Sequence, residues 1–383
     1  MTTVLLALAL FDELASGVSS IAAPDIERTF ATSHARLAAL LFVGPGIVSL
    51  CIEPIIFLLA DRYPRAWFIR GGLSALALAS VLAGLAPGPI ALSCALALAW
   101  IATGAASSLA QATLIDREPD RRARTMARWT LLALVGDLCA PALLAGLSLV
   151  GLTWRAGYLI VGGLLGAWAV VAWLVPIPHA RGEPDEPDPE PPVRLVTALR
   201  EALRDRVLIA WLFGLALCDL LDEILVVFAT LHVRDALGGG HLAQSAVVAV
   251  CLGSGAIGLV LLDRLLAKHA ETKLLVWSGS ACALAFAAWV AAPTVWASVL
   301  LMIPVGATAT VLYPLVAAQA FARRPAHSGS VLAASHLFTP LALVLPFLIG
   351  LVADHAGTYV ALSLLIVQPI GLVVLARVLR PRS

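Results

Sequence analysis

The chain has 383 residues, is 61% hydrophobic and 13% charged, and has a mean hydropathy of +0.95. Soluble domains carry roughly 25% charged residues, so this composition excludes a globule on one anchor and implies an all-α polytopic membrane protein. A formal charge of +1 says little about partners, since what matters is where the charges sit, and no nucleic-acid partner is expected.

Apolar windows of about 20 residues, parted by charges or Pro/Gly clusters, give twelve expected spans. They lie near 4–23, 37–60, 66–86, 90–114, 126–150, 155–176, 206–230, 243–262, 273–291, 295–319, 328–350 and 357–378. The first has no basic n-region and no clear cleavage site, so it reads as a retained helix rather than a signal peptide. With both termini cytoplasmic, 21 of the 25 Lys and Arg fall on the inside and only Arg28, Arg36, Arg155 and Arg234 outside, which satisfies the positive-inside rule. Six cysteines (51, 94, 139, 218, 251 and 282) sit in apolar segments with no CxxC pair and read as small buried hydrophobes.

The first span carries Phe11-Asp12-Glu13-Leu14 with no Lys or Arg near by. The seventh carries Leu221-Asp222-Glu223-Ile224, with Asp219 three residues earlier. Each acid at the midplane costs roughly 2.5–3.5 kcal/mol on insertion scales. Asp219, Asp222 and Glu223 stand at i, i+3 and i+4 and share one helix face. Asp12 shares a face with Ser16 and Ser19, and Glu13 lies about 100° round, so one of the pair is expected in a cavity and the other against a neighbouring helix. Glu53, beside Pro54, and Asp137 complete a set of seven acids within spans, whereas Lys and Arg are confined to loops and span ends. Internal ion pairs therefore cannot neutralise the set, which leaves protonation or a bound cation. Acids hydrogen-bonded at helix contacts for structure alone are the competing reading. His336, in the eleventh span, is either packing or a proton relay or soft-cation ligand. No HxxxH-type spacing marks a metal site, so the metal is left unknown.

Between the sixth and seventh spans, 182–192 (Gly-Glu-Pro-Asp-Glu-Pro-Asp-Pro-Glu-Pro-Pro) is an acidic, Pro-rich tether that can neither form a helix nor bury a core. It divides the chain into a bundle over 1–176, a cytoplasmic linker over 177–205 and a bundle over 206–383. The halves echo each other: Leu8-Ala9-Leu10-Phe11-Asp12 resembles Leu215-Ala216-Leu217-Cys218-Asp219, and each second span ends in Asp-Arg, at Asp61-Arg62 and Asp263-Arg264. Two pseudo-symmetric six-helix bundles form a parallel-repeat plan that places a site between halves near midplane.

The loop after the second span, Leu59-Ala60-Asp61-Arg62-Tyr63-Pro64-Arg65, is similar to the G-x-L-A-D-R-x-G-R-K element of the major facilitator superfamily. Both glycines are replaced, by Phe57 and Pro64. Leu262-Asp263-Arg264 followed by Lys268 is a fainter copy. The resemblance covers nearly the whole chain and implies that Asp61, Arg62 and Arg65, with Asp263 and Arg264, form a gating latch that holds the outward-open or inward-closed arrangement. Gly136-Asp137-Leu138-Cys139-Ala140-Pro141 resembles the fifth-span motif of the family's antiporters and leans toward export by exchange. A kinked helix packed through small residues would look the same.

There is no G-x-x-x-x-G-K-[ST], HExxH or GxSxG, which argues against an ATP-driven pump or a hydrolase. The expectation is a monomeric secondary transporter in a bacterial inner membrane, without a cofactor and driven by a proton or cation gradient. It exports a cationic or amphipathic small molecule that competes with protons at Asp12, Glu13, Asp137, Asp219, Asp222, Glu223 and His336. The alternatives are an uptake or divalent-metal carrier using the same acids, and a non-transporting sensor on the same fold.

Overall fold

The computed structural model describes residues 1–32, 36, 39–177, 195–325 and 327–379, and the acidic tether at 182–192 lies outside them. Among the described residues every regular element is helical. Among the described residues eleven helices are long and apolar enough to cross a membrane. They are α1 (Thr2–Ile21), α2 (Ala39–Ala60), α3 (Arg65–Leu85), α4 (Pro89–Arg117), α5 (Arg122–Leu149), α6 (Trp154–Leu174), α8 (Leu242–Leu265), α9 (Glu271–Val290), α10 (Val295–Ala322), α11 (Ser328–Ala353) and α12 (Thr358–Val378). The remaining expected span is the 30-residue α7 (Arg206–Asp235), whose apolar character is broken at its middle by Asp219, Asp222 and Glu223.

Helix ends follow local chemistry. Pro89 occupies the first turn of α4, where its missing N–H costs nothing. Asp205 caps α7 by accepting from the Val207 and Leu208 amides at 3.0 and 3.1 Å. Thr294 caps α10 through the Ala297 amide. Gly357, at φ +87°, makes the turn from α11 into α12 in a region that favours glycine.

The chain forms two compact units. Unit 1 comprises Met1–Pro119, Leu132–Glu201 and Arg324–His336, and unit 2 comprises Asp120–Leu131, Ala202–Arg323 and Leu337–Ser383. The start of α11 thus belongs with unit 1 and the start of α5 with unit 2. Internal pairings repeat: α3 packs on α6, α2 on α4 and α1 on α6 in unit 1, and α9 packs on α12, α8 on α10 and α7 on α12 in unit 2. Bare glycines allow the closest approaches. A Cβ on Gly72 would fall 2.7 Å from the Ala106 nitrogen of α4. On Gly258 of α8 it would overlap the Ala307 carbonyl of α10.

Several details are absent from the sequence expectation. Residues Ala23–Phe30 form a short helix after α1, in the stretch left between the first two expected spans. It is held to α6 by the Trp154 indole donating to Thr29 Oγ1 at 3.1 Å. Among the described residues two spans contain π turns, Ala39–Val43 at the head of α2 and Gly104–Ser108 within α4. Three of the six cysteines, Cys51, Cys94 and Cys139, are exposed on helix surfaces, because an apolar span turns part of its circumference outward.

Candidate functional site

The polar interior of unit 1 gathers around α4. Asp12 of α1 accepts a hydrogen bond from Thr103 Oγ1 at 2.8 Å and another from Ser107. Both hydroxyls come from the stretch where α4 changes from α to π winding, a local irregularity often found at functional sites. Glu53 of α2 lies near enough to Asp12 for the two charges to repel. Its Oε2 is 3.2 Å from His336 Nε2, with both side chains mostly enclosed. Phe57, one turn beyond Glu53, stacks on the His336 ring with centroids 5.6 Å apart. The cluster therefore holds two carboxylates, two hydroxyls and an imidazole, and the imidazole is cationic only when protonated.

Glu13 occupies a different place. Its Cβ lies against Gly136 of α5, where an added side chain would also overlap the Leu10 carbonyl. Its carboxylate accepts from Ser16 Oγ at 3.2 Å. Asp137, next to Gly136, is exposed on α5. Asp219 is exposed on α7 in unit 2, and the side chains of Asp222 and Glu223 lie outside the described residues. Trp129, Trp211 and Trp289 are buried in packing, and Trp100 is partly exposed over Gly46.

The Asp-Arg element at the end of α2 has a defined geometry. Arg65 donates to Asp61 Oδ1 at 2.8 Å and to Asp116 Oδ2 at 2.7 Å. Asp61 also accepts the Gly329 and Ser330 amides at 2.9 and 2.8 Å, and Asp116 accepts from Ser328 Oγ at 2.6 Å. Amides in the first turn of a helix have no intrahelical partner and carry the positive end of its dipole, so a carboxylate is their natural acceptor. Gly329 is required here by space: a Cβ would overlap the Phe57 carbonyl and lie 2.6 Å from Asp61 Oδ1. Arg62 is exposed, 5.9 Å over the Tyr63 ring.

Unit 2 contains a counterpart at the first turn of α5. Asp263 pairs with Arg124 at 3.1 Å and Arg128 at 3.5 Å. The Ala123 amide donates to Glu271, which also accepts from Gln319 at 2.6 Å. Arg264 lines a shallow cavity of about 220 Å³ with Arg128, Leu131 and Leu259. Asp116, Gly329, Arg124 and Glu271 were not singled out in the sequence. Only Asp116-Arg117 at a span end hinted at the first, and Arg124 and Arg128, at i and i+4, counted merely as inside charge.

The sequence matches the Major Facilitator Superfamily over residues 5–345, and the chain belongs to that family. It is accordingly a multi-pass membrane transporter, of a class generally not enzymes. No curated protein matches the sequence. Among solved structures, the E. coli fucose:proton symporter FucP superposes with a TM-score of 0.79 at 14% identity, over 100% of this chain and 98% of that one. The proton:xylose symporter XylE gives 0.73 at 12%, over 99% and 95%. A bacterial homologue of the iron transporter ferroportin gives 0.72 at 15%, over 98% and 97%. At these identities the likeness concerns the fold.

Proposed function

We propose that this transporter exchanges protons for a cationic or amphipathic small molecule and exports it by alternating access. The observation that carries the reading is the Asp12–Glu53–His336 cluster, where an acid-rich site has an imidazole as its titratable partner. A proton on either carboxyl group removes the negative charge that would hold a cation, so the two ligands compete. Asp219, Asp222 and Glu223 on α7 supply the acids of unit 2, and Asp61, Arg65, Asp263 and Arg264 act as latches. The proton as coupling ion is in keeping with the fold shared with two sugar:proton symporters. Export rather than uptake rests on the Gly136–Pro141 pattern in α5. The working unit is a monomer in the bacterial inner membrane, with both termini cytoplasmic.

The likeness to a ferroportin homologue favours divalent-metal transport as a second reading. Against it, no three His, Cys, Asp or Glu side chains come together among the described residues in a way that would hold a metal ion. Reconstitution in liposomes with a lumenal pH indicator separates the two. Organic cations added to either side should drive proton movement, and Asp12→Asn should abolish it. Movement with divalent metals alone would transfer the assignment to metal transport, and no movement with either panel would refute both.

A further inference from the structure

Gly104 opens the π turn of α4, and its bare α-carbon rests on the carboxyl group of Glu53. A Cβ at this position would meet Cδ and Oε1 of Glu53 at 2.7 Å and Cγ at 2.9 Å, closer than real side-chain contacts come. The backbone does not ask for glycine here. Gly104 has φ −54° and ψ −47°, ordinary right-handed helix in which alanine is the better helix former. Space is therefore what the glycine provides, and Glu53 fills it.

The neighbouring residues of the same stretch serve the other carboxylate, since the Thr103 and Ser107 hydroxyls both reach Asp12. A π turn closes i→i+5 hydrogen bonds and shifts the residues after it relative to α-helical register. One short segment thus holds Asp12 through two hydroxyls and receives Glu53 against a bare α-carbon. Beyond Glu53 stands His336, with Nε2 3.2 Å from the carboxylate. His336 ends the α11 segment whose first turn is tied to Asp61 and Asp116 in the same unit, and its ring packs on Phe57 of α2. Toward α4, the Glu53 carboxyl packs against the bare α-carbon of Gly104.

We propose that Gly104 is a positioning residue for proton transfer: the absence of a side chain there keeps the Glu53 carboxyl within reach of His336 while it stays beside Asp12. In the transfer, the O–H bond of the Glu53 carboxyl breaks as an N–H bond forms at His336 Nε2, leaving carboxylate beside imidazolium. The return step restores both neutral groups. This assignment rests on the proton-coupled reading above.

The test needs no transported substrate. Infrared difference spectra of the full-length protein in liposomes, taken from acidic to alkaline pH, report the C=O band of each protonated carboxyl group. Glu53→Gln and Asp12→Asn identify the two bands. In Gly104→Ala the midpoint of the Glu53 band should move by about one pH unit, a tenfold change in proton affinity, and the Asp12 band should move less. Thermal unfolding supplies a second measure: Gly104→Ala should lower the midpoint when Glu53 is present and have little effect in a Glu53→Ala background. A Glu53 band that stays in place in Gly104→Ala, or an equal loss of stability in both backgrounds, overturns the positioning role while leaving proton coupling intact. If Glu53→Gln removes no pH-dependent band, proton coupling through Glu53 falls and the positioning role falls with it.

Discussion

The first turns of α11 and α5 both meet acidic side chains, yet the two meetings differ in how much water reaches them. In unit 1, Arg65 and Asp116 are each 2% exposed and Asp61 is 10% exposed, and both oxygens of Asp61 take backbone amides. In unit 2, Asp263 is 35% exposed and its partners Arg124 and Arg128 are 25% and 55% exposed. Exposed ion pairs contribute about 0–1 kcal/mol because water screens them and ordering long side chains costs entropy. A buried set behaves differently, since each charge depends on the others to offset its desolvation. The same Asp-Arg element therefore builds a rigid tie in unit 1 and a loose one in unit 2. What separates them is burial and the presence of amide donors, and the motif itself is common to both.

The largest expected effect comes from breaking the buried set. Arg65→Ala leaves Asp61 and Asp116 facing each other without their shared guanidinium and should cost about 3–5 kcal/mol. Thermal unfolding in detergent reads this directly. Arg124→Ala, its nearest equivalent in unit 2, serves as the comparison and should lose far less. Equal losses from the two variants would show that burial is not what distinguishes the ties.

A third helix start lies between these extremes. Asp205 caps α7 through two amides and pairs with Arg323 at 3.2 Å. Partial burial opposes its charge, but the Leu208 and Val207 amides and Arg323 outweigh that, so the carboxyl sits below its ordinary value of 3.8. A group with a depressed folded value stabilises the fold above its unfolded value and loses that contribution as pH falls through the folded one. Asp205→Ala should cost about 1 kcal/mol at neutral pH, and the gap to wild type should close in acid below pH 3.8. A gap of constant size across the whole pH range would assign the loss to packing instead of charge.

How much of this was legible beforehand depended on sequence separation. Apolar windows located the spans, because crossing a bilayer constrains composition over a whole helix. Asp61 and Arg65 were legible as a motif, but the acceptor role of Asp61 was not, since Gly329 and Ser330 lie 268 and 269 residues away. Glu53 read equally well as a structural neighbour of Pro54. Its placement against Gly104 and His336 emerges only when α2, α4 and the start of α11 are assembled. The π turn at Gly104–Ser108 was hidden because Gly-Ala-Ala-Ser-Ser carries no winding signal distinct from a small-residue helix face. The acids of α7 were conspicuous because three carboxylates stand where hydrocarbon is expected.

The smallest expected effect probes the loose tie. Asp263→Asn removes the charge facing Arg124 and Arg128 but keeps the Asp263 carbonyl, which accepts from the Arg124 guanidinium at 3.0 Å. The loss should stay within about 0.2–1 kcal/mol. It should also shrink at high salt, because at about 1 M the screening length falls to roughly 3 Å, comparable to the pair separation. Unfolding midpoints at low and high salt, compared for wild type and Asp263→Asn, measure both quantities. A salt-independent loss as large as that of Arg65→Ala would mean that the unit 2 tie is as well shielded from water as that of unit 1, and the contrast between the two ties would disappear. A small, salt-sensitive loss instead marks Asp263 as the tie that yields first when the first turn of α5 is pulled.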